Sequence, residues 1–135
     1  MDISLGNVTE RYYMVKKLQK WFDSVSSGDI DLVLNLYSPD AVLLGTFSSD
    51  IKIGIDQIRD YFIDFLKRNP KPRLVSTNIQ IIKNNYSVIS GFYDFEIDNA
   101  TGKRETIHAR YTFVFRVING NWTIISHHSS VKPLS

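Results

Sequence analysis

The chain contains no cysteine. Disulfides, thiolate nucleophiles and thiolate metal ligands are therefore excluded, and a reducing compartment suits such a sequence. Basic residues form no run interleaved with aromatics, and a net charge of +2 is spread thinly along the chain. That pattern gives no footprint for nucleic acid. No apolar stretch is long enough to span a bilayer. The opening Met1-Asp2-Ile3-Ser4-Leu5-Gly6-Asn7 lacks the basic and apolar regions of a signal peptide. A soluble cytoplasmic protein, without a nucleic-acid or membrane partner, is expected. There is no internal repeat, no glycine-rich phosphate loop and no Gly-x-Ser-x-Gly elbow. Three scattered histidines do not make a metal-ligand set, so neither metal nor cofactor is expected.

What the sequence has is the length of one domain, 1–135, and a generous aromatic share of 13%. Residues 9–26 form an amphipathic helix, with Tyr12, Val15, Leu18, Phe22 and Val25 at helical spacing and Trp21 beside them. Thr9 is its expected N-cap, and Ser26-Ser27-Gly28 ends it. Asp29 opens a shorter helix over 30–37, with Leu32, Val33 and Leu36 on its apolar side. Ser38-Pro39-Asp40 breaks it, because proline biases the preceding residue away from helix. Residues 41–44 and 51–53 read as short strands about a Ser48-Ser49-Asp50 turn. A third helix, 55–68, carries Ile55, Ile58, Phe62, Phe65 and Leu66 as its stripe, and Asn69-Pro70-Lys71-Pro72 stops it.

The remainder is strand: 73–83, 86–98, 104–118 and 121–131 are rich in β-branched and aromatic residues. Asn84-Asn85, 98–102 and Asn119-Gly120 are the turns. Helices first and a meander afterwards predict an α+β domain, with a curved antiparallel sheet wrapped around the N-terminal helices as a cone-shaped barrel. In the penultimate strand Tyr111, Phe113, Phe115 and Val117 point one way and Arg110, Thr112, Val114 and Arg116 the other. Ile89, Tyr93, Phe95 and Ile97 share a face of the preceding strand, and Gly91 marks a bulge or bend in it. The last strand has two registers. A two-residue Asn119-Gly120 turn puts Ser126 and His128 on the face of Tyr111 and Phe113; a three-residue loop puts His127 and Ser129 there.

Three stretches carry a resemblance. They are Leu36-Tyr37-Ser38-Pro39-Asp40-Ala41-Val42-Leu43-Leu44; Tyr61-Phe62 through Asn69 with Lys71-Pro72; and the ending. The ending comprises Ala109-Arg110-Tyr111-Thr112-Phe113-Val114-Phe115-Arg116, Asn119-Gly120-Asn121-Trp122, His127-His128-Ser129-Ser130 and Pro133. Together they resemble the SnoaL-like (nuclear-transport-factor-2-like, cystatin-like) proteins, above all the association domain of calcium/calmodulin-dependent protein kinase II, and the SgcJ/EcaC family. The resemblance implies a helix-filled cone with a pocket at its open end, and homodimers or larger rings built through the outer sheet face. Arginines that line the association-domain pocket fall by position at Tyr93, Phe113 and Ser129, none of which is arginine. The implied pocket is instead lined by rings and hydroxyls: Trp21, Tyr37, Phe62, Tyr93, Phe95, Tyr111, Phe113 and Ser129.

His127-His128 is the candidate catalytic pair, since imidazole titrates near neutral pH; the alternative is a hydrogen-bonded structural histidine or an oligomer contact. His108 reads as a strand-surface residue, Asp94 and Glu96 as a solvated face, and Asp40 as a turn residue. Arg110, Thr112 and Arg116 are candidates for an interface. Two functions follow. One is a free-standing association-domain-like module that homo-oligomerises through its sheet and holds a small organic ligand in an aromatic pocket. The other is a small cofactor-independent enzyme, of isomerase, cyclase or hydrolase type, that acts on an apolar carbonyl substrate with histidine as acid or base. The sequence favours the module, because no convincing carboxylate partner for a histidine stands near either candidate.

Overall fold

The computed structural model describes residues 3–4, 6–83 and 85–134. Chain order is β1 (Ile3–Ser4), α1 (Val8–Ser27), α2 (Ile30–Leu34), β2 (Tyr37–Leu44), β3 (Lys52–Ile53), α3 (Ile55–Leu66), β4 (Lys71–Ile82), β5 (Tyr86–Asp98), β6 (Arg104–Ile118) and β7 (Asn121–Val131). Met1, Asp2 and Leu5 of the opening segment, and Asn84 of the expected Asn84-Asn85 turn, lie outside the described residues.

The long helix starts two residues before the expected Thr9 cap. Asn7 Oδ1 accepts from the Glu10 N–H at 2.8 Å and Glu10 Oε1 accepts from the Asn7 N–H at 3.1 Å. This reciprocal box satisfies two donors that Thr9 would leave open. Gly28, at φ 75°, ends the helix in the left-handed conformation that glycine adopts without strain. The buried stripe of α1 is Met14, Leu18, Trp21, Phe22 and Val25. Trp21 centres that face, which turns the expected Tyr12 and Val15 outward, to 55% and 43% exposure. Tyr12 lies under the Lys16 ammonium instead, 4.9 Å from its ring centre.

Asp29 caps α2 as expected, accepting from the N–H groups of Asp31 and Leu32. That helix stops at Leu34 rather than Tyr37, because Tyr37 already pairs with Ile124 in the sheet. Leu32 is consequently exposed, and Val33 and Leu34 are the buried pair. The strand β2 runs through Pro39, which sits where the ladder is interrupted between Tyr37 and Val42 and no N–H is required. In α3 the buried stripe is Ile58, Tyr61, Phe62 and Phe65, with Ile55 and Leu66 at its margins.

The sheet order is β1-β4-β5-β6-β7-β2-β3. The expected curved sheet wrapped around N-terminal helices is present, and two details differ from an all-antiparallel closed barrel. The β7–β2 pair is parallel, because the chain enters β2 from α2 alongside the last strand, so the sheet is mixed. Its edges, β1 and β3, do not pair with one another, so the cone is open along one side rather than closed as a barrel. The helices fill the concave face, and the aromatic stripes of β5 and β6 point into it. Among the described residues no helix is long and apolar enough to cross a membrane.

Two local features set what faces inward. Gly91 pairs with Tyr111 in an unbroken β5–β6 ladder; the irregularity lies in β4 between Leu74 and Ser76, opposite Tyr93 and Phe92, next to Gly91. A Cβ on Gly91 would collide with the Ser76 carbonyl, to which the Tyr111 hydroxyl also donates at 2.9 Å. Gly91 therefore marks a close backbone approach. At the other end Asn119 and Gly120, at φ 52° and 79°, make a two-residue turn with Ile118 opposite Asn121. Farther along, Phe115 pairs with Ile124 but Val114 with Ser126, which leaves Ile125 as a one-residue bulge. The turn is thus the first expected alternative and the facing is the second. His127 and Ser129 point inward with Phe113 and Tyr111 because the bulge, not the loop, shifts the register.

Substituting Gly91→Ala is expected to destabilise the fold by about 3 kcal/mol, since backbone must move to admit the methyl group. Urea unfolding measures this; a change below about 0.5 kcal/mol, the usual range for surface substitutions, contradicts the close approach.

Candidate functional site

The interior is built around His127. Its ring stacks on Phe113, with centroids 3.9 Å apart and planes at 16°, and meets the edge of Trp21 at 5.4 Å. Tyr93 stacks on Trp21 at 5.8 Å and contacts Phe95 and Tyr111 at 4.5 and 4.7 Å. Tyr37 and Phe62 pack at 5.7 Å. The eight residues expected to line a pocket, Trp21, Tyr37, Phe62, Tyr93, Phe95, Tyr111, Phe113 and Ser129, thus meet in one buried cluster. The cluster packs against itself. The cavity between Trp21, Tyr93, Phe95, His127 and Ser129 measures about 10 Å³, the room of a single water molecule. An organic ligand enters there only if lining side chains move.

The polar groups of this core form a chain whose direction follows from chemistry. An indole only donates. Trp21 Nε1–H donates to the Tyr37 hydroxyl at 3.0 Å, and among the described residues the one acceptor left for the Tyr37 proton is His127 Nδ1, at 2.8 Å. Nδ1 is therefore the bare nitrogen. Nε2 carries the proton and donates to the Tyr93 hydroxyl at 3.2 Å. Beyond Tyr93 stands Ser129, whose hydroxyl bonds that of Thr46 at the cone mouth. Burial holds the His127 pKa down to about 3, with the neighbouring His128 adding repulsion. Burial likewise raises the pKa of Tyr37 and Tyr93 well above the usual phenol value. Among the described residues no carboxylate bonds His127. At neutral pH this imidazole is a neutral, fully engaged hydrogen-bonding group.

The other candidates separate by face. His128 lies outside the cone, opposite Thr112 and beside Arg110 and Ser130. Arg110 donates from Nε to the Ser130 hydroxyl at 3.0 Å, and the Arg116 guanidinium covers the Tyr86 ring at 5.8 Å. Thr112 and Ser90 share a hydroxyl contact at 3.4 Å.

Asp94 was expected on a solvated face; it is instead 7% exposed, because both of its oxygens are engaged. His108 Nδ1–H donates to Oδ1 at 2.8 Å and the Arg73 guanidinium to Oδ2 at 2.6 Å. This carboxylate–histidine pair stands on the outer face, not in the cone. His108 itself is exposed, as a surface residue should be, and Glu96 is exposed, 4.0 Å from the Arg104 guanidinium. Asp40 accepts from the Ser38 hydroxyl at 3.0 Å, a turn contact. Among the described residues no group of three His, Cys, Asp or Glu side chains could hold a metal ion.

Sequence reasoning missed Met14 and Tyr61 as interior residues, and the loop residues Gly45, Thr46 and Phe47. Tyr61 was legible, since Ile58, Tyr61, Phe62 and Phe65 fit helical spacing better than a stripe running through Ile55. Phe47 carries no periodic signal. It stacks on Phe65 at 5.4 Å, with the Arg68 guanidinium over its ring, 4.5 Å from the centroid.

A mixed, curved sheet around helices with this chain order is the nuclear-transport-factor-2-like, cystatin-like cone. Solved structures agree. A nuclear transport factor 2 (NTF2-like) superfamily protein of Salmonella enterica matches with TM-score 0.82 and 18% identity, covering 94% of each chain. A cystatin-like protein of unknown function from Nostoc punctiforme matches with TM-score 0.75 and 19% identity over 95% of each. A Xanthomonas campestris protein described as a calcium/calmodulin dependent protein kinase II association domain is 33% identical, with TM-score 0.86, over 96% of this chain and 91% of its own. The family model for that association domain matches residues 10–133. The chain belongs to the calcium/calmodulin dependent protein kinase II association domain family. No curated protein matches it.

The buried histidine makes stability depend on pH with a defined sign. Its folded pKa, about 3, lies below the ordinary 6.5, so the unfolded chain binds the extra proton between these values. The contribution of neutral His127 is complete above pH 6.5 and is lost as pH falls towards 3. Between pH 6 and 4.5 the wild type is expected to lose about 1 kcal/mol per pH unit more than His127→Gln. Parallel stability–pH curves for the two proteins contradict a buried neutral imidazole.

Proposed function

We propose that the chain is a free-standing association module that pairs with copies of itself through the outer face of β5, β6 and β7. The observation that carries this is the composition of that face. Register brings Val88 opposite Val114 and Ser126, and Ser90 opposite Thr112 and His128. The centre is small and free of carboxylates and lysines. Arg116 bounds it at one end; Arg110 and the exposed Phe92 bound it at the other. A centre without carboxylates or lysines, bounded by arginine and aromatic residues, fits the composition of protein interfaces. No helix packs on this side, since the helices occupy the concave face. Membership of an association-domain family supports the same reading.

The interior supports a mechanical role in this proposal. A cone packed to a cavity of about 10 Å³ holds the curvature of the outer face. The enzyme reading lacks what it needs inside the cone, because His127 is neutral, engaged at both nitrogens and without a carboxylate. The small-ligand reading is second. It rests on the aromatic lining and requires that lining to open.

The wild type is expected to sediment as a dimer or larger ring at micromolar concentration. Thr112→Glu, which puts a charge at the centre of the face, is expected to give a folded monomer, and Arg116→Glu a weakened assembly. A monomeric wild type, or an assembly unchanged by both substitutions, sinks the proposal.

A further inference from the structure

One cross-strand row of the outer face is built from ionisable side chains. Register sets Arg73 of β4 opposite Asp94 of β5, and Asp94 opposite His108 of β6. Lys132, just after β7, donates its N–H to the His108 carbonyl at 2.8 Å. The Asp94 side chain is only 10% exposed, whereas that of His108 is 67% exposed. A carboxylate only accepts, so the 2.8 Å contact between Asp94 Oδ1 and His108 Nδ1 requires the proton on Nδ1. Neutral His108 is thereby held in one tautomer, with Nε2 bare. The Arg73 guanidinium, 2.6 Å from Oδ2, fixes the carboxylate from its other side. Among the described residues Nε2 meets no hydrogen-bond partner. A free imidazole lone pair backed by a buried carboxylate is the arrangement of an activated nitrogen nucleophile. His128 is exposed on the same outer face, and among the described residues it has no such carboxylate.

The surroundings supply charge of one sign. Arg110 stands two residues along β6 on the same face, about 7 Å from His108 at the rise of a strand. It donates to the Ser130 hydroxyl, and the Lys132 ammonium lies over the Phe92 ring, 4.6 Å from its centroid. Phe92 is the residue opposite Arg110, so both cations border the histidine. Among the described residues neither Arg110 nor Lys132 has an ion-pair partner. The nearby acids are engaged elsewhere: Asp94 with Arg73, and Glu96 with Arg104. A nitrogen nucleophile between two uncompensated cations matches an anionic electrophile with several acceptor oxygens, which is the description of a phosphoryl group.

We propose that His108 is a phosphoryl-accepting residue, modified at Nε2 by small donors of the phosphoramidate or acyl-phosphate type. The Nε2 lone pair forms the new N–P bond as the bond from phosphorus to the leaving group breaks. With phosphoramidate the leaving group departs as ammonia, which already carries its protons. The ring gains positive charge in this step, and Asp94 balances it through the Nδ1 proton. Asp94 is thus a positioning residue, and Arg110 and Lys132 hold the phosphoryl oxygens. The step does not rest on the assembly reading, since His108 lies beyond the Arg110 margin of the face proposed to pair.

The test is incubation of the full-length protein with potassium phosphoramidate, followed by mass mapping at alkaline pH and NMR of the imidazole ring to read which nitrogen carries phosphorus. His108 is expected to be labelled at Nε2 at least about tenfold faster than His128, which serves as a reference within the same molecule. Asp94→Asn is expected to slow His108 about tenfold relative to His128, both with phosphoramidate and with the uncharged reagent diethyl pyrocarbonate. Arg110→Gln combined with Lys132→Gln is expected to slow only the reaction with phosphoramidate. Equal labelling of His108 and His128, phosphorus on Nδ1, an unchanged ratio in Asp94→Asn, or equal slowing of both reagents by the double substitution each overturns the proposal.

Discussion

The interior depends on one donor that cannot accept. Trp21 can only give its indole proton, and it gives it to Tyr37. The Tyr37 proton then has one acceptor among the described residues, and the later assignments follow: Tyr37 donates to His127 Nδ1, His127 donates from Nε2, and Tyr93 receives. The chain of bonds ties α1 to β2, β7 and β5, four elements far apart in sequence. Each member is buried, so breaking one link leaves an unpaired polar group in a low-dielectric core. The same bonds explain why a histidine can sit among aromatic rings without charge. Its neutral form has two partners of the right kind, and its cation would have one donor too many and no counterion.

That interior separates the molecule's two faces. The concave side is consumed by packing: aromatic stripes of β5 and β6 close on Trp21 and Phe22 from α1 and on Phe62 and Phe65 from α3. The convex side is left with Val88, Ser90, Thr112, Val114, Ser126 and His128 between Arg110 and Arg116, and with the Asp94–His108–Arg73 cluster towards one end. A carboxylate–histidine pair does exist in this protein, but it lies on the sheet's outside. The positions where association-domain arginines are expected hold Tyr93, Phe113 and Ser129, which here belong to the packed, neutral core.

Much of this was legible before the structure. The strand bounds 86–98, 104–118 and 121–131 follow from β-branched runs between Asn- and Gly-containing turns, and they stand as read. Alternation in β6 sorted Tyr111, Phe113 and Phe115 from Arg110, Thr112 and Arg116 correctly, because a period of two leaves no freedom once one face is buried. Three things were not legible. The bulge at Ile125 decides which of His127 and His128 faces inward, and nothing local in Ile124-Ile125 announces it. Burial of Asp94 depends on Arg73 and His108, from the two strands flanking β5, and pairing partners are not visible in a one-dimensional pattern. The N-terminal face was read through Tyr12 and Val15 because the helical period alone fits several stripes; the position of Trp21 in the fold selects one.

The central claim, that His127 is a neutral structural histidine with its proton on Nε2, has a direct test in ¹⁵N NMR of the imidazole ring in the folded protein. The account predicts a protonated Nε2, a bare Nδ1 and no change in either between pH 8 and pH 5, well above the folded pKa of about 3. A proton on Nδ1, or titration near pH 6.5, would contradict it.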